Sequence, residues 1–148
     1  LYGVSGDIPI DRENPMLVQE GHGFLDPLAV AKSLPAWLRE EDIEKFASEY
    51  RRTGFRGGLN WYRNIDRNWA LTAPWHDATI RQPALFIYGT RDPVVAGKRG
   101  VAAVEHMSRA VPGVQKVVIE GAGHWIQQER PERVNAALLE FLAKVRKL

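Results

Sequence analysis

Pro83-Ala84-Leu85-Phe86-Ile87-Tyr88-Gly89-Thr90-Arg91-Asp92-Pro93 begins as an unbroken apolar run and ends as a turn. A short run without polar alternation marks a strand covered on both faces, as in a parallel sheet. Gly89, Asp92 and Pro93 supply the turn chemistry that stops it and projects one carboxylate. Downstream, residues 100–110 read as a helix, residues 115–119 as a second apolar strand, and residues 131–145 as a closing helix. In that last helix Pro131 suits the first turn, and Val134, Ala137, Leu138, Phe141, Leu142 and Val145 form one apolar stripe, with Glu132, Arg133, Glu140, Lys144 and Arg146 largely off it. Strand, helix, strand, helix is the alternation of an open, mostly parallel α/β sheet.

Gly121-Ala122-Gly123-His124-Trp125 lies between the second strand and the closing helix. A histidine on such a loop is held by rigid elements yet exposed at the sheet edge, where a general base is useful. Adjacent parallel strands joined by a helix bring their carboxyl-end loops side by side, so Asp92 and His124, 32 residues apart, can meet. A carboxylate there would fix the imidazole tautomer and stabilise its protonated form. Taken singly, Asp92 is ordinary turn chemistry; its pairing with a loop histidine one βα unit later is what points to catalysis.

Upstream of residue 74 the pattern is helical. Residues 1–34 are rich in Gly, Pro and Asp without a sustained period, and read as loop with at most short helices. Glu40, Glu41 and Asp42 then sit in a first turn where the helix dipole favours acids. Ile43, Phe46, Ala47 and Tyr50 repeat at helical spacing, Arg51 and Arg52 complement the end, and Gly54 can stop it. Residues 59–71 read as a second helix with Tyr62, Ile65 and Trp69 along one face, Tyr62 pointing inward. A boundary between the helical and α/β segments falls near residues 69–78. By periodicity alone Tyr62 is a core residue, and Trp37, Trp61, Trp69 and Trp75 are packing anchors, Trp61 being placed to touch substrate as well.

Composition narrows the function classes. Among 148 residues, 20 Lys and Arg against 18 Asp and Glu are intermixed rather than gathered on a stripe, which argues against a nucleic-acid or anionic-membrane surface. No apolar run approaches a membrane span. The lack of cysteine removes disulfides, a thiol nucleophile and Cys-based metal sites, and fits the cytoplasm. His22, His76 and His106 share no metal-ligand spacing with His124, so no metal site is expected. No Gly-x-Ser-x-Gly elbow precedes Asp92 and the chain starts at Leu1, so half a site on a piece of a longer enzyme is the expectation.

Trp37-Leu38-Arg39-Glu40-Glu41-Asp42, then Thr53-Gly54-Phe55-Arg56-Gly57-Gly58-Leu59-Asn60-Trp61-Tyr62-Arg63-Asn64, then the Asp92 turn and Gly123-His124-Trp125, resemble the carboxyl-terminal half of an epoxide hydrolase of the α/β-hydrolase fold. The likeness runs from about residue 1 to the end. Its middle string is the specific part, because an Asp turn followed by Gly-His occurs throughout α/β-hydrolases. The resemblance implies that residues 1–72 are the remainder of a helical cap, or lid, and residues 73–148 the last two βα units of the core domain. It implies a two-step reaction: an aspartate attacks an epoxide carbon, lid tyrosines assist the leaving oxygen, and a histidine-activated water hydrolyses the ester to a diol. Tyr62 matches one of two lid tyrosines, His124 the base and Asp92 the acid that orients it, while Trp125 is expected near the pocket wall.

The nucleophile, its elbow, the oxyanion-hole loop and the other lid tyrosine find no counterpart in these residues. Implied partners are a small apolar epoxide, water and the amino-terminal half of the same enzyme, with no cofactor, nucleic acid or membrane, and with a homodimer left open. Trp61, Trp125, Phe24 and Leu25 point to an apolar substrate. Two alternatives stand beside this. Another α/β-hydrolase, such as a serine esterase, a carbon-carbon bond hydrolase or a dehalogenase, would share Asp92 and His124 without needing Tyr62. An inactive binding or structural module would have to fold alone despite an unpaired strand edge at residues 84–88.

Overall fold

The computed structural model describes residues 4–7, 20–23, 26 and 31–147. Phe24 and Leu25 lie outside them, as does most of the stretch 1–34 read as loop. The described elements are helices α1 (Glu40–Thr53), α2 (Arg56–Arg63) and α3 (Ile65–Thr72), a tight helical turn Ala73–Trp75, strand β1 (Ala84–Gly89), helix α4 (Lys98–Ala110), strand β2 (Val114–Ile119), a one-turn helix α5 (Ile126–Glu129) and helix α6 (Pro131–Val145).

The ends of α1 follow from its sequence. Asp42 accepts the backbone N–H of Arg39 at 3.1 Å and two further bonds from its guanidinium, so an orphan donor at the helix start is satisfied. Those bonds hold the Asp42 carboxyl below the ordinary carboxylate range. At the other end Gly54 adopts φ 68°, a left-handed conformation suited to glycine, and its N–H reaches the Tyr50 carbonyl.

The single helix expected over residues 59–71 is two. It starts earlier, at Arg56, since a first turn tolerates Gly57 and Gly58, and it breaks at Asn64. There the Asn64 side-chain amide donates to the Asn60 carbonyl at 2.7 Å, competing with the backbone N–H of Asn64 for one acceptor. Tyr62 also departs from expectation: it is 74% exposed rather than pointing into a core. None of α1, α2 and α3 buries a residue, and Phe46, Phe55, Leu59, Trp61, Trp69 and Trp75 all stand on the surface. So much apolar surface is the kind that covers a groove or meets another surface.

β1 and β2 pair in parallel, from Ala84 opposite Val114 to Gly89 opposite Ile119, with α4 as the crossover. Because the last residues of the two strands are partners, the loops that leave them start side by side. Main-chain bonds then stitch these loops: Thr90 N–H to the Ile119 carbonyl at 3.1 Å and Arg91 N–H to the Ala122 carbonyl at 2.9 Å. At Gly89 no side chain fits, since a Cβ would come within 2.0 Å of the Ala122 carbonyl oxygen. The core lies directly beneath this edge, where Ile119, Ala122, Ile126 and Val134 are buried with Ile87 and Val117 packed against them. Burying Ile119, 1% exposed, contributes about 1.5–3 kcal/mol. Among the described residues no helix is long and apolar enough to cross a membrane.

Candidate active site

Asp92 sits three residues past the end of β1, in a turn that determines where its carboxylate points. Its carbonyl accepts the N–H groups of Val95 and Ala96, and its Oδ1 accepts the Val94 N–H at 2.9 Å. Pro93 between them has no N–H to compete. The carboxylate is therefore anchored on one oxygen and buried, with 6% of the residue exposed. Its other oxygen faces His124.

His124 is delivered by the loop after β2. Gly121, at φ 72°, turns the chain, and its N–H bonds the Thr90 hydroxyl at 2.9 Å. Ala122 is fully buried, which seats the loop on the core. The His124 N–H bonds the Val4 carbonyl at 2.9 Å. The ring then places Nδ1 3.1 Å from Asp92 Oδ2 and 3.3 Å from Oδ1. A carboxylate only accepts, so Nδ1 carries the hydrogen and Nε2 the lone pair. With 42% of its side chain exposed, His124 is braced on its inner side and open on its outer one. Trp125 lies edge-on to it, ring centres 5.2 Å apart.

Asp92, His124 and Trp125 are thus brought together as the sequence suggests. Tyr62 and Trp61 are placed elsewhere, on a hollow of about 630 Å³ between α1 and α2 that they line with Tyr50, Phe55, Leu59 and Ile65. Neither Asp92 nor His124 is among its walls. The stacking of Tyr50 on Phe55, 4.5 Å between centres, builds one side of it. His76 meets the edge of Trp69, and His106 lies on α4 beside Arg109. Among the described residues no three His, Asp or Glu side chains are grouped to hold a metal ion.

Sequence reasoning passes over Glu129. This carboxylate, 6% exposed, accepts the N–H groups of Gly6 at 2.9 Å, Gly123 at 2.8 Å and Trp125 at 3.1 Å. The one local clue is its place, an acid four residues after Trp125 and two before the Pro131 that opens α6. Gly6 and Gly123 meet so closely that a Cβ on Gly123 would lie 2.2 Å from the Gly6 nitrogen.

A model of the α/β hydrolase family matches residues 4–137. The chain is 51% identical to epoxide hydrolase A of Mycobacterium tuberculosis over 127 residues, 86% of this chain and 38% of that protein. Against epoxide hydrolase 1 of Siraitia grosvenorii the identity is 43% over 119 residues, 78% of this chain and 38% of the relative. Among solved structures, an epoxide hydrolase from an endophytic Streptomyces superposes with a TM-score of 0.88 at 38% identity, over 98% of this chain and 44% of that one. Epoxide hydrolase A from Mycobacterium thermoresistibile gives 0.79 at 44% identity, over 95% and 43%. The chain thus spans about two fifths of the length of these relatives.

Proposed function

Since the chain belongs to the α/β-hydrolase family, we propose that it carries the water-activating part of an epoxide hydrolase, which converts an apolar epoxide to a vicinal diol through an alkyl-enzyme ester. The observation that carries this is the contact of His124 Nδ1 with the buried Asp92 at 3.1 Å, in a chain whose relatives are epoxide hydrolases. We take residues 1–72 as part of the lid and residues 73–148 as part of the core domain, and assign the ester to an aspartate outside these 148 residues.

In the first step a carboxylate oxygen attacks an epoxide carbon, the C–O bond breaks, and its electron pair goes to the epoxide oxygen. Tyr62 donates a hydrogen bond or its proton to that oxygen; a phenol with a reference pKa of about 10 remains neutral, and so able to donate, at working pH. At 74% exposure Tyr62 is open to a substrate approaching from outside these described residues. A carboxylate nucleophile needs no base, which frees His124 for the second step. There Nε2 takes a proton from water as the water oxygen attacks the ester carbonyl. Asp92 stabilises the imidazolium, the tetrahedral intermediate expels the diol oxygen, which takes the proton from Nε2, and the carboxylic acid left on the nucleophile then loses its own proton, making good the one given to the epoxide oxygen in the first step.

Tyr62→Phe tests the assignment against an esterase or dehalogenase. Rapid-quench kinetics of the complete protein with styrene oxide should show ester formation slowed about a hundredfold and ester hydrolysis unchanged. Equal rates of ester formation in the two proteins would remove Tyr62 from the reaction.

A further inference from the structure

Glu129 is a buried carboxylate that the reaction above does not use. Its two oxygens accept three backbone N–H groups, and two of these, from Gly123 and Trp125, flank His124 on either side. The third comes from Gly6, far away in sequence. His124's own N–H is taken by the Val4 carbonyl. Every amide hydrogen from 123 to 125 therefore has a fixed acceptor, and two of the three end on one side chain. Three amide dipoles aimed at it offset the cost of keeping a carboxylate out of water, and charge-assisted bonds of this kind are stronger than neutral ones.

We propose that Glu129 is a positioning residue for water activation: it clamps the backbone on both sides of His124, and so aims the imidazole at Asp92 and at the ester. The role in a reaction step rests on the epoxide hydrolase function proposed above; the clamp itself does not. Among the described residues Oε2 serves Gly6 and Gly123 and Oε1 serves Trp125 alone. In Glu129→Gln the amide nitrogen is thus expected at the Oε1 position, where one bond is lost rather than two, and the chain after His124 is released.

The test is Glu129→Gln in the complete protein, with styrene oxide as the probe. Ester hydrolysis is expected to slow about ten- to a hundredfold, as for a reacting group displaced by an ångström or less, while ester formation stays within about threefold. Glu129→Asp keeps the charge one methylene shorter and should fall between the two; it is also the variant to measure if the glutamine protein does not fold. Without substrate, the amide proton of Trp125 should move upfield in the NMR spectrum of Glu129→Gln, and the His124 ring resonances should shift with it. Unchanged hydrolysis, an equal fall in both steps, or unmoved Trp125 and His124 resonances would overturn the proposal. A wild-type protein that forms no ester would instead refute the epoxide hydrolase function, and the substrate-free spectra tell that failure apart from failure of the clamp.

Discussion

His124→Gln should leave the complete protein able to open an epoxide and unable to finish. Glutamine fills nearly the same volume and keeps the backbone N–H that bonds Val4, so the loop has no reason to move. What it lacks is a basic nitrogen. The water of the second step then has nowhere to send its proton, and ester hydrolysis is expected to fall by about 10² to 10⁴, the span of a lost general base. The first step needs no base and should change little. Mixed with styrene oxide, the variant should gain the mass of one epoxide per chain and hold it for hours, whereas the wild type cycles. Steady diol release at the wild-type rate would mean that His124 does not activate the water.

Asp92→Asn should produce as large a loss by a subtler route. Oδ1 of Asp92 accepts the Val94 N–H, so an asparagine carbonyl stays there and its NH₂ group takes the position of Oδ2, 3.1 Å from Nδ1. An NH₂ group donates, so Nδ1 must become the acceptor and the ring proton moves to Nε2. The imidazole is then present in the wrong tautomer, with no lone pair for the water and no carboxylate to stabilise its protonated form. Hydrolysis should slow by about four orders of magnitude while the fold persists, because the turn bonds are kept. The mass of the trapped ester again reports it, and thermal melting separates it from unfolding. A loss below about tenfold would mean that the carboxylate only shapes the turn.

The parts of this fold that could be read in advance are those written in local chemistry. The acidic first turn of α1 and Gly54 beyond it mark that helix at both ends, and the apolar stripe behind Pro131 marks α6 over the residues it occupies. Asp92 and His124 were legible as a pair because strand ends and loop lengths alone bring them together. Glu129 was not, since its value lies in the amide of Gly6, which only the folded chain carries to Gly123. Asn64 hid a break because a side chain that competes for a carbonyl leaves no mark in an apolar period. Tyr62 shows the same limit from the other side: helical spacing shows which residues share a face, and cannot say whether anything covers that face. Here α2 carries Trp61 and Tyr62 into an open hollow.

The most direct measurement is a single turnover of the complete wild-type protein on styrene oxide in water enriched in heavy oxygen, with the protein in excess. If His124 and Asp92 drive water onto an ester carbonyl, the heavy atom enters the protein carboxylate and the first diol released carries none. Heavy oxygen in that first diol would mean that water attacks the epoxide itself, and the acid-base pair at the ends of β1 and β2 would then have no ester to act upon.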